Sequence, residues 1–373
     1  MSVRRAVAVV AAAGVLAGCG GGSSSAGSGP SATPPHSTAT TPTSPATSAT
    51  PVGTPEHPVA VPVRQDLLDW QQVPGSTKDV VTVGGGWTLT VPTGDGSARL
   101  RGAKSVTIRA AAHSSITDAF LDGTHALVVS EDRLAADPDR AVLVDLASGR
   151  MTTLDGRSDP PTVVGGAWAL GPDTVLHATS GPRHSYCLAT VDLATGHGST
   201  GWCSPPRHGF SRVTVTSSAT TMMVFDGHRP SCRTLVQVSG RTLAPIPGVT
   251  DCLGWDSSLT APGAVWSVVP KQHRIEAAHF YAHTAGGWFD LGPGLSGSLV
   301  TCAGNSYFTR DPQTRSDPAT LLRWSPDAAS LSVVFASRGT GNAFLAPPRC
   351  GGDHLTVTAY SSSGDQQVTA QVG

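Results

Sequence analysis

An apolar run that closes in a polar, glycine-bearing turn occurs twice in nearly the same form. Ala141-Val-Leu-Val-Asp-Leu-Ala-Ser-Gly149 is followed, one unit later, by Ala189-Thr-Val-Asp-Leu-Ala-Thr-Gly196. Each reads as a strand entering a β-hairpin, with glycine where the backbone turns left-handed. Comparable turns follow at Gly102, Gly149, Gly196, Gly240, Gly286 and Asp327, at intervals of 47, 47, 44, 46 and 41 residues. Strand-like segments flank every one, such as 98–101 with 105–109 and 233–238 with 241–246. Two more strands precede each hairpin, for example 211–217 and 221–225 in the fourth unit and 298–301 and 306–310 in the sixth. A period in the forties with four strands per unit predicts sheets repeated around an axis.

The chain end carries the most information. A seventh unit begins near Asn342 and gives three strands, 343–346, 354–360 and 366–372, before the sequence stops. A missing last strand leaves an open edge. The expected remedy is a segment from near the start, about Pro58 to Arg64, joining the seventh unit as its outermost strand. The first full unit, with inner strands at 79–83 and 87–91, accordingly starts late.

Period and strand count together resemble a seven-bladed β-propeller over residues 59–373, which implies an all-β fold closed by an N-terminal strand after a disordered tether. Six or eight blades, or a pair of β-sandwiches, stay open on this reading. No subfamily pattern repeats: paired Gly-His and Trp-Asp are missing, and Gly85, Gly165 and Gly286 fall at different places in their units. Trp324-Ser-Pro-Asp-Ala328 resembles the repeat of TolB-type propellers, in a single copy.

The N-terminus reads as an address. Arg4 and Arg5 precede an apolar segment, 6–15, too short to span a bilayer, and Leu16-Ala17-Gly18-Cys19 follows. These residues resemble the lipobox of bacterial lipoproteins. The resemblance implies a signal peptide at 1–18, a lipid on Cys19 and a protein anchored to the extracytoplasmic face of the cell membrane. Residues 19–58 are rich in Ser, Thr, Pro, Gly and Ala and cannot bury enough apolar surface to offset their ordering entropy. They read as a disordered tether, about 35 Å long on average as a random coil.

Composition narrows the rest. Only 14% of the 373 residues are charged and the formal net charge is −1, so no basic field attracts nucleic acid. Setting Cys19 aside leaves an even set of cysteines in an exported chain, the signature of disulfides. The blade layout selects Cys187 with Cys203 and Cys232 with Cys252 at one rim, and Cys302 with Cys350 at the other.

Searching for reaction chemistry yields little. The chain carries no Gly-x-Ser-x-Gly, His-Glu-x-x-His, phosphate loop, acidic calcium loop or sialidase-type Ser-x-Asp-x-Gly box, and no pattern that calls for a cofactor. His279 and His283, with His273 and Glu276 nearby, are weak metal candidates, because a strand puts His279, Tyr281 and His283 on one polar face. The starts of the innermost strands contribute Asp118, Asp159, Arg212 and Asp251 as candidates for rim binding. The expectation is a binding or scaffold module for a protein, peptide or glycan, with an exported lyase, lactonase or glycosidase as the alternative.

Overall fold

The computed structural model describes residues 52–271 and 274–373; Cys19, the expected signal segment and the expected tether up to residue 51 lie outside them, as does His273. Seven sheets, each with an antiparallel core, follow one another along the chain as the blades of a β-propeller. Apart from a 3-10 turn at Pro182–His184, the described residues contain no helix.

Blade 1 runs Val80–Gly84, Trp87–Val91, Ser97–Arg101 and Ser105–Arg109 from the axis outward. Blades 2, 3 and 4 repeat this order with innermost strands Ser114–Leu121, Trp168–Leu170 and Gly209–Val215. Those of blades 5 and 6 are Gly254–Thr260 and Val300–Cys302. In blade 7 the innermost position is split between Phe344–Leu345 and Arg349–Cys350, both paired with His354–Tyr360.

The repeated sequence encodes a repeated turn. Asp145 Oδ1 accepts the Ala147 and Ser148 N–H groups at 3.0 and 2.9 Å, and Asp192 Oδ1 accepts that of Thr195 at 2.7 Å. Those bonds to the charged form hold both carboxyls below the usual carboxylate range. Gly149 and Gly196 then take φ of 77° and 71°, which costs a residue with a Cβ more than it costs glycine. Alternate apolar residues leave the strands on both faces, so the core lies between neighbouring blades. One cluster joins blades 1 and 2 through Leu100, Leu121 and Val144, and another joins blades 5 and 6 through Phe280, Phe308 and Trp324.

Ring closure differs from the sequence expectation in one respect. The outermost strand of blade 7 is Gln71–Gln72, antiparallel to Gln366–Gln371, and not the segment from Pro58 to Arg64. That earlier segment does form strands, but on other blades. Val59–Ala60 lies parallel to Gly287–Leu295 at the edge of blade 5, and Val63–Gln65 lies parallel to Ser330–Thr340 at the edge of blade 6. Residues before the expected tether boundary at 58 also join the fold: Val52 pairs with Gly287 and its carbonyl accepts the Trp288 N–H at 2.7 Å. The N-terminal ribbon is thus a strap over three blades. Its last turn is pinned by Trp70, whose indole donates to the Val334 carbonyl at 2.7 Å and meets Phe335 edge-on.

The seam between blades 7 and 1 is tied by hydrogen bonds. Tyr360 donates to the Thr77 carbonyl at 3.0 Å, Gln367 to that of Asp79 at 2.9 Å, and Thr356 Oγ1 accepts the Val83 N–H at 3.1 Å. Gly84 and Gly351 let the two backbones approach so closely that a Cβ on either would collide with main-chain atoms.

Three disulfides brace the ring: Cys187–Cys203 within blade 3, Cys232–Cys252 from blade 4 to blade 5, and Cys302–Cys350 from blade 6 to blade 7. The first two lie at the rim where innermost strands begin, called here the upper rim, and the third at the lower rim.

Candidate functional site

The innermost strands of blades 2, 4 and 5 carry charged residues, Asp118, Arg212 and Asp256. At the lower ends of the innermost strands Leu121, Leu170, Val215 and Cys302, with Pro172 and Pro262 in the turns that follow, help to line a cavity of about 770 Å³. Charged side chains gather above it, and the backbone shows how they are placed. Three innermost strands carry one extra residue relative to their partners: between Ile116 and Asp118 in blade 2, Ser211 and Thr214 in blade 4, and Gly254 and Ser257 in blade 5. Such a bulge bends the strand and re-aims its side chains. Asp118, Arg212, Trp255 and Asp256 all sit at these irregularities. Arg212 is held at φ 52°, a left-handed conformation that costs a non-glycine residue roughly 1–2 kcal/mol.

Each charge has a distinct environment. Burial pushes the Asp118 carboxyl up to about 6; Arg349 and Arg212 oppose the rise, and Glu131 and Asp139 reinforce it. Arg349 reaches from blade 7 past blade 1 and donates to the Ala119 carbonyl at 2.9 Å. Asp256 is buried, and its Oδ2 accepts the Gly297 N–H at 2.7 Å and the Ser267 hydroxyl at 3.1 Å. Burial raises its pKa, while Arg212, at 4.0 Å, and those bonds pull it down. Arg212 lies against Gly297, where any Cβ would meet its guanidinium, and over the Trp255 ring at 5.5 Å. Asp139, also buried, accepts the Gly165 N–H and the Trp168 indole N–H. Asp118, Glu131 and Asp139 thus gather on the side of blade 2 with Arg349 among them, while Arg212 stands beside Asp256 on the side of blades 4 and 5.

The structure brings together only part of the sequence-derived set. Asp118 and Arg212 are close enough for the guanidinium to act on the Asp118 carboxyl. Asp159 does not join them: its carbonyl packs at Gly198 on the outermost strand of blade 3, because residues 155–167 cross from the edge of blade 2 before the innermost strand starts at Trp168. Asp251 is exposed in the turn that carries Cys252 and is not among the charges acting on Asp118 or Asp256. His279 is occupied by Asp290, with Nε2 2.6 Å from Oδ1, and His283 stacks on Trp288 at 4.0 Å. Among the described residues no three His, Cys, Asp or Glu side chains converge as a metal site would require. Asp256 and Arg349 escaped the sequence reading, a lone charge in an innermost strand being their only mark, while Trp255 reads from sequence as one of several tryptophans packed between blades.

Asp118 gives a stability signature. Its folded pKa lies above the unfolded value, so the charged form destabilises the fold at neutral pH and the penalty lifts as pH falls from about 6 toward 4. Asp118→Asn is expected to be more stable than the parent at pH 8, with the gap closing by about pH 4. Urea melts across that range measure it, and a gap independent of pH contradicts the assignment.

Comparison with known proteins reaches the fold alone. The sequence matches no protein-family model and no curated protein. The structure is similar to the β-propeller domain of the Trilobed protease from Pyrococcus furiosus, with TM-score 0.55 at 8% identity over 78% of this chain and 95% of that one. It is also similar to a prolyl endopeptidase, with TM-score 0.52 at 14% identity over 82% of this chain and 47% of that one. For an acylaminoacyl peptidase of Pyrococcus horikoshii the TM-score is 0.52 at 7% identity, over 82% of this chain and 54% of that one. The chain spans about half the length of those two peptidases. The architecture they share with it is the β-propeller.

Proposed function

We propose that the protein is a lipid-anchored module on the extracytoplasmic face of the membrane that binds a charged ligand, carried by a protein, peptide or glycan, at the upper mouth of its channel. The observation that carries this reading is the coincidence of three backbone bulges with four side chains of the mouth, Asp118, Arg212, Trp255 and Asp256. Bulges and left-handed arginine weaken a sheet, and such features persist where a side chain has to be aimed. A rigid ring with braced blades suits recognition, because little order is lost on binding. The lipobox-like Cys19 supplies the anchor. Partner capture from the native cell surface tests the reading: the parent chain is expected to retain a reproducible partner, and Arg212→Ala to lose most of it, at least about tenfold. Capture that is indifferent to both Arg212→Ala and Asp118→Asn sinks it.

An exported enzyme is the second reading, favoured by Asp118, whose carboxyl at about 6 suits proton transfer near neutrality. Turnover in a panel of uronide, lactone and glycoside substrates that disappears in Asp118→Asn supports this alternative over pure binding.

A further inference from the structure

Arg233, which opens the third strand of blade 4, is the most anomalous charge in the structure. It is only 8% exposed, and its Nε and Nη2 are shielded without any acceptor among the described residues. Burial lowers its pKa and no carboxylate acts against that shift. A buried cation without a countercharge is among the costliest arrangements in a protein interior. Its neighbourhood repeats the deficit. The guanidinium lies 4.7 Å from the centre of the Trp255 ring, and the Trp255 indole N–H is also buried with no acceptor. Arg212, over the same ring, is 43% exposed and meets Asp256 only at 4.0 Å, beyond hydrogen-bonding distance.

We propose that the junction of blades 4 and 5 at the upper rim is a seat for a carboxylate group of the ligand, gripped by Arg233 with help from Arg212 and the Trp255 indole. Nε and Nη2 form the side-on edge of a guanidinium, whose two parallel N–H bonds match the two oxygens of a carboxylate. That edge is the part of Arg233 left without partners. Both atoms are shielded in the structure, so a carboxylate reaches them only when a covering side chain moves, and Arg212, over the same ring and no nearer than 4.0 Å to Asp256, is the loosely held one. The seat is built into a fixed frame, since the Cys232–Cys252 disulfide lies beside it and Arg233 pairs with Leu253 across the blade junction. This inference rests on the reading of the upper mouth as a binding site and names the group that the site takes.

The test uses the full chain with N-acetylalanine, its amide and inorganic phosphate as probes, followed by calorimetry and thermal melting. N-acetylalanine is expected to bind at least about tenfold more tightly than the amide, and Arg233→Met to abolish that preference. Without probe, Arg233→Met is expected to melt higher than the parent, because an unpaired buried charge gives way to an apolar side chain that still packs on Trp255. A structural role predicts the opposite sign. If Arg233→Met does not fold, Arg233→Lys keeps the charge but not the two-donor edge, and is expected to lose most of the preference. Equal binding of acid and amide, equal response to phosphate, or a lower melting temperature for Arg233→Met overturns the proposal. Partner capture that falls in Arg212→Ala but is unchanged in Arg233→Met removes the carboxylate seat and leaves the mouth as the binding site.

Discussion

Replacing Trp70 with Ala is expected to destabilise the fold by about 3 kcal/mol, a fall of roughly 6–12 °C in melting temperature. Trp70 is where the strap leaves blade 6 and becomes the outer strand of blade 7. The substitution removes an edge-on contact with Phe335, at 5.2 Å between ring centres, and an indole bond to the Val334 carbonyl. That carbonyl keeps the Leu68 N–H at 3.1 Å, so the loss comes from packing and from the pinning of Gln71–Gln72 rather than from an orphaned acceptor. Val63→Ala, at an exposed position earlier in the strap, is the control and is expected to cost less than about 0.5 kcal/mol. Denaturation midpoints distinguish them. Equal effects at the two positions mean that the strap closes nothing.

Removing the Cys302–Cys350 bond carries the second large effect. It closes 48 residues of sequence and ties the innermost strand of blade 6 to the broken innermost strand of blade 7, next to the hydrogen-bonded seam. In the chain-entropy account a loop of that length contributes about 4 kcal/mol, against about 3 kcal/mol for Cys187–Cys203, which spans 16 residues inside one blade. Paired Cys→Ala variants at each site, compared by urea unfolding, are expected to fall in that order. A Cys187–Cys203 deletion that proves the more damaging contradicts the view that joining blades matters more than bracing one.

The ring was legible first because two successive outer hairpins carry the same chemistry. An aspartate that caps a turn and a glycine at positive φ recur in Asp145 to Gly149 and Asp192 to Gly196, and they set the period from which the blades were counted. The cysteine pairs followed, since their positions relative to those turns fix the rim on which each sulfur lies. Closure was legible in principle and misplaced in detail. Alternating Val59, Val61 and Val63 read as a strand and two parts of that run are strands, but parallel ones laid on blades 5 and 6. The true closing strand is two glutamines, with no apolar alternation to betray it, flanked by Trp70 and Val73.

The mouth was legible only in fragments. Asp118 and Arg212 stood at the starts of innermost strands and were found there, whereas Asp159 was assigned to a strand that begins later. Asp118, Arg212 and Arg349 come from three different blades, and nothing along one strand announces that both arginines act on the aspartate. A bulge shifts the alternation by one residue, and in strands as short and mixed in polarity as Gly209–Val215 that shift is lost among the other residues. His279 and His283 do share one strand, where the first meets Asp290 and the second stacks on Trp288.

Hydroxyl-radical footprinting of the full chain, with and without the partner recovered from the cell surface, tests the upper mouth most directly. The account predicts protection of Trp255 and of the segment around Arg212, whose side chain is 43% exposed. Protection centred on 260–262 and 299–304 at the lower mouth, or on the outer strands, would contradict it.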